Sequence, residues 1–446
     1  MYLDVSAAPG GDGSRDRPFR TLAEAPTHGR LRLASGVYPG GVTLEDVEVI
    51  GGPAVVLTTS PPADCIHTRG AVRLEGIQIQ GGARGLVVES GRATLEGARF
   101  SGQRGPAVEV GEGAAVSLSH STLLATVSGF PGLRVLPGGQ AELRESRLQG
   151  PFRRGIEAIR PVSLALVGVE IEGSVTGLWL LGGQASVEGV ELRGGRGPAL
   201  YVAEGALQLR DVRIRGHEYG LLTGGGARIE AKGLASVGPE MSGVALVRSK
   251  GALEDVHVES PGRLAAVQLV ASEARIRGLE VRGGPSGLSA RTAQLTLEGG
   301  TITAVRSEES SEGDAIEIRG GKASLAGLRI QDCSGIGVLA AEGADVTLSR
   351  STITGSGVAG VSAETLGRLL ATGVSIEGTH GPAVLVSDHG MAQLRAMTAR
   401  DNRDGSVWAE CAQGVTVEVD GLTSDSDGLL PPAPCIRTLS PVSPRR

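Results

Sequence analysis

A glycine-centred pattern that returns every ~23 residues between Gly85 and Gly405 limits what this chain can fold into more than any other feature. Three copies read RGLVVESGRATLEGARFSG from Arg84, TGLWLLGGQASVEGVELRGG from Thr176 and GPALYVAEGALQLRDVRIRG from Gly197. Each holds a short apolar-alternating run, a glycine turn, two more such runs and a second turn. The repeat opens at Gly85, Gly105, Gly132, Gly155, Gly177, Gly197, Gly220, Gly243, Ala265, Gly287, Ala315, Gly337, Gly360, Gly381 and Gly405. Alternation with a period of two belongs to strands, and no copy carries the i, i+3, i+4, i+7 pattern of a helix. Units this small bury an apolar face only by stacking on their neighbours. The spacing therefore predicts an all-β solenoid, a single-stranded right-handed parallel β-helix of about 16 coils with three short strands per coil.

In such a winding, equivalent residues of successive coils form columns. The inward column of the opening strand runs Leu86, Val108, Leu133, Ile156, Leu178, Leu200, Leu221, Val244, Val267, Leu288, Ile316, Val338, Val361, Val384, Val407. The residue after each is expected to point to solvent: Val87, Glu109, Arg134, Glu157, Trp179, Tyr201, Leu222, Ala245, Gln268, Ser289, Glu317. Trp179, Tyr201 and Leu222 make an aromatic–aliphatic stripe in a chain that is only 2% aromatic. Arg134 and Glu157 stand beside it. Flat rings next to charged forks suit sugars or a protein surface, so these five residues are the candidate ligand-binding set. Trp408 lies on the same column and is expected beneath the C-terminal tail. Asn402 is the only asparagine, so stacked turn ladders are expected to be made of glycine, of which there are 71.

The net charge of −6 argues against a nucleic-acid partner, and no run of apolar residues is long enough for a membrane-spanning helix. The chain starts abruptly at Met1-Tyr2-Leu3-Asp4, which suggests a trimmed export signal and an extracytoplasmic location (periplasmic, surface or secreted), with a cytoplasmic one as the alternative. Cys411 and Cys435 lie 24 residues apart, about one coil, within reach of a disulfide or else as two buried thiols. Cys65 and Cys333 have no partner one coil away and read as small core residues. Two insertions interrupt the rhythm, at residues 124–131 and 304–313, the second carrying Glu308, Glu309 and Glu312.

Both ends of a β-helix expose a sheet edge that needs covering. At the N-terminus, Asp12-Gly13-Ser14 is followed by Arg17-Pro18-Phe19-Arg20-Thr21-Leu22 and by Ala34-Ser35-Gly36-Val37-Tyr38. This run resembles the opening of bacterial right-handed β-helix proteins of the pectin-lyase-like superfamily. The resemblance implies that this entry, within residues 1–41, caps the first coil; the repeat places the helix over 42–428, and 429–446 read as a proline-rich tail. Members include polysaccharide lyases, hydrolases, epimerases, phage tail proteins and non-catalytic surface proteins, so the fold alone assigns no reaction.

Catalytic members of that superfamily carry signatures. The NTD, GxDD, GHG and RIK segments of polygalacturonase-like hydrolases are absent; Asp388-His389-Gly390 is the nearest echo of GHG. A pectate-lyase-like calcium site needs several carboxylates on one strand face, and Asp420, Asp425 and Asp427 read instead as a solvated turn. His380, Asp332, Asp401, Asn402, Arg403 and Asp404 gather along one corner, where a histidine near carboxylates suits acid–base work. His380, Asp332, Asp401 and Asp404 are weak catalytic candidates, and a water-facing polar column is the plainer alternative. No metal or cofactor is expected. The chain is thus expected to be a non-catalytic, exported binding protein for a polysaccharide or cell-envelope partner. Alternatives are a scaffold or oligomerising stalk and, after it, a polysaccharide lyase or hydrolase.

Overall fold

The computed structural model describes residues 1–26, 28–307, 313–425, 433–439 and 443–444. By contacts the chain divides into two compact units, Met1–His217 and Glu218–Arg446. In the first, the opening strands Leu86–Val88, Val108–Val110, Pro131–Val135, Arg154–Ile159, Thr176–Leu181 and Leu200–Ala203 pair in parallel, each with the next. Second strands such as Arg92–Glu96 and Ala115–Ser119, and third strands such as Arg99–Ser101 and Thr122–Leu124, do the same. Each coil therefore contributes one strand to each of three parallel sheets. The second unit repeats the scheme, and some of its second and third strands merge, as in Lys250–Glu259 and Glu273–Arg282. No α-helix occurs among the described residues, and no helix there is long and apolar enough to cross a membrane.

The inward column holds in register within each unit. Leu86 pairs with Val108, Leu133 with Ile156, and Leu178 with Leu200; in the second unit Val244, Val267, Leu288, Ile316, Val338, Val361, Val384 and Val407 follow one another. All of these side chains are buried. The residue just before this column is small in every coil, because its Cβ faces the third strand of its own coil. A Cβ on Gly177 would meet Leu192 Cδ2 at 2.2 Å. Corner length varies by one or two residues, so the registered position is Ala107, Ala199, Ala266, Ala383 and Ser406 where the pattern marks Gly105, Gly197, Ala265, Gly381 and Gly405.

At the N-terminus, the strand Gly29–Leu33, inside the segment assigned to the cap, already stacks in parallel on Val47–Ile50. The strand Tyr2–Leu3 adds to Arg32–Leu33 and bridges to Phe19. The entry motif is a packing unit. Tyr38 is fully buried and its hydroxyl donates to Ala34 O at 2.8 Å. Gly13, at φ +79°, lies so close to the Phe19 ring that a Cβ would stand 2.4 Å from it.

The turn ladders differ from the glycine-only expectation. Ser146 Oγ accepts the amide of Ser121 one coil away and donates to Arg144 O; Ser121 Oγ does the same for Ala98 and Ser119. Ser272 and Ser351 repeat the arrangement in the second unit. A second column there runs Cys333, Ser356, Thr379, Asn402, with Cys333 Sγ 3.2 Å from Ser356 Oγ and Thr379 Oγ1 donating to Asn402 Oδ1 at 2.8 Å. A serine hydroxyl donates and accepts at once, so it satisfies the corner amide and carbonyl that a glycine leaves to water.

Candidate functional site

The outward column of the first unit carries the richest chemistry. Val87, Glu109, Arg134, Glu157, Trp179 and Tyr201 follow one another in register, one per coil. Consecutive charges of opposite sign at one strand spacing meet, and long arginines from neighbouring positions fold over the carboxylates. Glu109 and Glu157 are consequently buried, at 9% and 6% exposure, where alternation alone points them to solvent.

The contacts form one continuous chain. Arg84 donates to Asp64 through Nε at 3.0 Å and Nη2 at 2.6 Å, and through Nη1 to Glu109. Arg134 lies 3.6 Å from Glu109 and donates through Nε to Glu157 at 2.8 Å. Arg154 also pairs with Glu157. Hydrogen bonds from Arg84 hold the Asp64 carboxyl below the usual carboxylate range. Beyond Asp64, the ring nitrogens of His67 lie 3.1 Å from Asp64 and 2.6 Å from Glu89, so both are engaged. Three arginines face three carboxylates from Asp64 to Arg154, and the strip is electrically balanced.

At Arg154 the chain passes from charge to aromatic surface. Its guanidinium carbon lies 3.9 Å from the Trp179 ring centroid. Tyr201, one coil on, stacks against Trp179 with centroids 4.1 Å apart and planes 26° from parallel. Two groups this close to one centroid cannot share a face, so Trp179 is sandwiched between them. Both its faces are occupied and only its edge remains available. Flat stacking of a sugar on Trp179, the simplest expectation for an exposed tryptophan, has no open face.

The remaining candidates are more dispersed. Leu222 belongs to the second unit, where it is half-buried and in register with Ala245. Trp408 is 53% exposed, and much of the tail expected to cover it lies outside the described residues; it shares an outward column with Leu339, Ser362 and Leu385. The polar corner does not converge. Asp332, Gly355, Gly378 and Asp401 succeed one another coil by coil, which sets the two aspartates about 14 Å apart along the axis. Among the described residues His380 makes no ion pair with Asp332, Asp401 or Asp404, and Asn402 is spent on the buried ladder. Asp425 accepts the amide of Asp401, while Asp427 and the acidic residues 308–312 lie outside the described residues. No cluster of metal-ligating side chains occurs among the described residues.

Cys411 and Cys435 form a disulfide with Cα atoms 5.3 Å apart. Cys65 and Cys333 are buried free thiols, and burial pushes Cys65 up to about 12. Asp64, Arg84 and Arg154 are the members of the strip that sequence reasoning missed. Strand alternation assigns no direction to corner residues, yet a signal existed. Arg84-Gly85-Leu86 and Arg154-Gly155-Ile156 share an arginine two residues before the inward column.

Residues 265–420, a minority of the chain, match the family described as right handed beta helix region. No curated protein matches the sequence. Among solved structures, the chain is similar to the catalytic unit of an α-1,3-glucanase from Streptomyces thermodiastaticus, at 13% identity and a TM-score of 0.25, covering 98% of this chain and 69% of that one. A tailspike protein of the E. coli bacteriophage HK620, in complex with a pentasaccharide, aligns at 12% identity and a TM-score of 0.28, covering 87% and 74%. A periplasmic alginate epimerase aligns at 11% identity and 0.26, covering 95% and 83%. These likenesses concern the right-handed β-helix fold and assign no residue here a role.

Proposed function

We propose that the opening-strand face of the first unit is a binding surface for a polysaccharide chain and that the protein acts by binding, without cleaving its ligand. The observation that carries this reading is the unbroken strip from Asp64 through Arg154 to Trp179 and Tyr201. Each coil offers it one polar or aromatic group per ~4.8 Å, a linear array suited to a linear, polyhydroxylated ligand. Because the charges are paired, the strip supplies hydrogen-bond partners held in place without a net field. A neutral glycan is favoured over a polyanion, and binding is expected to be insensitive to salt. The rings contribute edges and the Tyr201 hydroxyl, not an open indole face. The Cys411–Cys435 disulfide supports an extracytoplasmic location, since such bonds persist in oxidising compartments.

Affinity electrophoresis through gels containing neutral and uronate polysaccharides tests the proposal. Retardation by at least one neutral polysaccharide is expected, lost in the Trp179→Ala/Tyr201→Ala variant, with no release of reducing ends or unsaturated products. Equal retardation of variant and wild type by every ligand would sink it. A scaffold role is the second reading, favoured by the exposed Trp408; concentration-dependent light scattering that disappears in Trp408→Ser would support it.

A further inference from the structure

We propose that the second-strand face of the Glu218–Arg446 unit is a docking trough for an extended acidic peptide segment of a partner protein. The face is grooved because its outward columns differ in length. Register places Lys250, Glu273, Gln294 and Lys322 on one column and Ala252, Arg275, Thr296 and Ser324 on the next. On the second column the side chains at Thr296, Ser324 and Thr347 are small and form a floor, with Arg275 and then Ala252 and Glu230 following on earlier coils. The resulting trough has a volume of 650 Å³ and is continuous, through Arg228 and Lys250, with a second hollow of 420 Å³ that reaches Arg248.

The charge in it is unbalanced although the chain as a whole is acidic, at −6. Lys250 is taken by Glu273 at 2.6 Å, and Arg275 turns to Glu298 at 3.5 Å. Counted over both hollows, the cations Arg228, Arg248, Lys250, Arg275 and Lys322 face the acids Glu230, Glu273 and Asp345, a surplus of positive charge, and Arg228, Arg248 and Lys322 make no ion pair among the described residues. The chain's three lysines, Lys232, Lys250 and Lys322, all lie on this face. On the floor, Thr296, Ser324 and Thr347 occupy consecutive coils, and no hydrogen bond is formed by their hydroxyls among the described residues. Cations over a row of free hydroxyls are the chemistry that receives carboxylates.

The trough has no aromatic lining residue, which separates it from the ring-bearing strip of the first unit and argues against a sugar. Arg228 and Lys322 stand four coil steps apart, about 19 Å, a span that an extended peptide of about six residues covers. An acidic segment of that length places carboxylates at both ends and its backbone over the hydroxyls.

Fluorescence polarisation with the full chain and labelled hexaglutamate tests the inference, with hexalysine and dextran sulfate as comparison probes. Hexaglutamate is expected to bind and to weaken about 10-fold from low to physiological salt. The Arg228→Glu/Lys322→Glu variant is expected to lose about 10-fold or more in affinity with its melting temperature retained, and Trp179→Ala/Tyr201→Ala to lose none. If the reversal does not fold, Arg248→Gln/Lys322→Gln carries the same reading in milder form. Absence of hexaglutamate binding, equal binding by the charge variants, or binding of dextran sulfate alone would overturn the proposal. The last result assigns the trough to an anionic glycan.

Discussion

Trp179 stacks on Tyr201 of the next coil with ring centroids 4.1 Å apart, while Arg154 covers the opposite face of the indole. The parallel ladder sets neighbouring side chains about 4.8 Å apart, close to the distance at which rings stack, so two aromatics in register stack face to face. A double-mutant cycle on Trp179→Ala and Tyr201→Ala, followed by urea unfolding, is expected to give a coupling of about 0.5–1.5 kcal/mol. A coupling near zero would mean that the pair touches without stabilising.

Glu157 is the acceptor on which two arginines depend. Glu157→Gln keeps the shape and removes the charge, leaving Arg154 partly covered without its carboxylate and Arg134 with only Glu109 at 3.6 Å. The expected loss is about 1.5–3 kcal/mol in unfolding free energy, because hydrogen bonds to charged groups in covered sites carry that much. Arg154→Gln should cost less and should also change the fluorescence of Trp179, which loses its cation.

The serine ladders make a sharper prediction than their size suggests. Ser146→Ala orphans the amide of Ser121 as well as removing a hydroxyl, and both sites are buried. The expected cost is about 1–3 kcal/mol. Ser117→Ala, on an outward-facing strand position, should stay within about 0.5 kcal/mol. If the two substitutions cost the same, the ladder is ornamental.

The winding was legible because it rests on two local rules, alternation along strands and small residues before each inward position, and both are written in every copy. From Leu86 to Leu200, and again from Leu221 to Val407, the inward column needs no adjustment. The site was half legible for the same reason. Trp179 and Tyr201 sit on strands, where alternation decides direction, whereas Arg84 and Arg154 sit at corners, where it does not. The burial of Glu109 and Glu157 depends on how those arginines lie, so it could not be read from their own positions. The serine columns were missed because a ladder was sought in asparagine and glycine, although a hydroxyl meets the same two backbone groups.

Two histidines give pH dependences of opposite sign. His217 is 1% exposed, and burial pushes its pKa below the ordinary 6.5. Its Nδ1–H donates to Gly197 O at 3.2 Å, while Nε2 has no partner among the described residues. Below pH 6.5 the unfolded chain binds a proton that the folded chain refuses, so stability falls on acidification. His120 lies between Glu96 at 2.8 Å and Glu145 at 2.7 Å, and those hydrogen bonds, Glu96 first, push its pKa up. Its contribution is complete below pH 6.5 and is lost as the pH rises through the higher folded value. Denaturant midpoints measured across pH should flatten below 6.5 in His217→Asn and above 6.5 in His120→Gln. The reverse assignment would contradict both placements.

The disulfide should act locally. Cys411 and Cys435 are 24 residues apart, and the bond holds the strand Ile436–Thr438 against Thr416–Ser424. That pairing is anchored by the Val417 amide on Cys435 O at 2.9 Å and the Leu439 amide on Val419 O at 2.8 Å. Closing a loop of this size is worth about 3 kcal/mol in chain entropy, enough to decide whether a three-residue edge strand stays docked. Hydrogen exchange after reduction, or in Cys411→Ser/Cys435→Ser, should show lost protection at Val417 and Leu439. The amides of Val361 and Val384, bonded to Ala383 O and Ser406 O, should keep theirs. Uniform loss across both sets would mean that the bond supports the whole unit and not its last described coil.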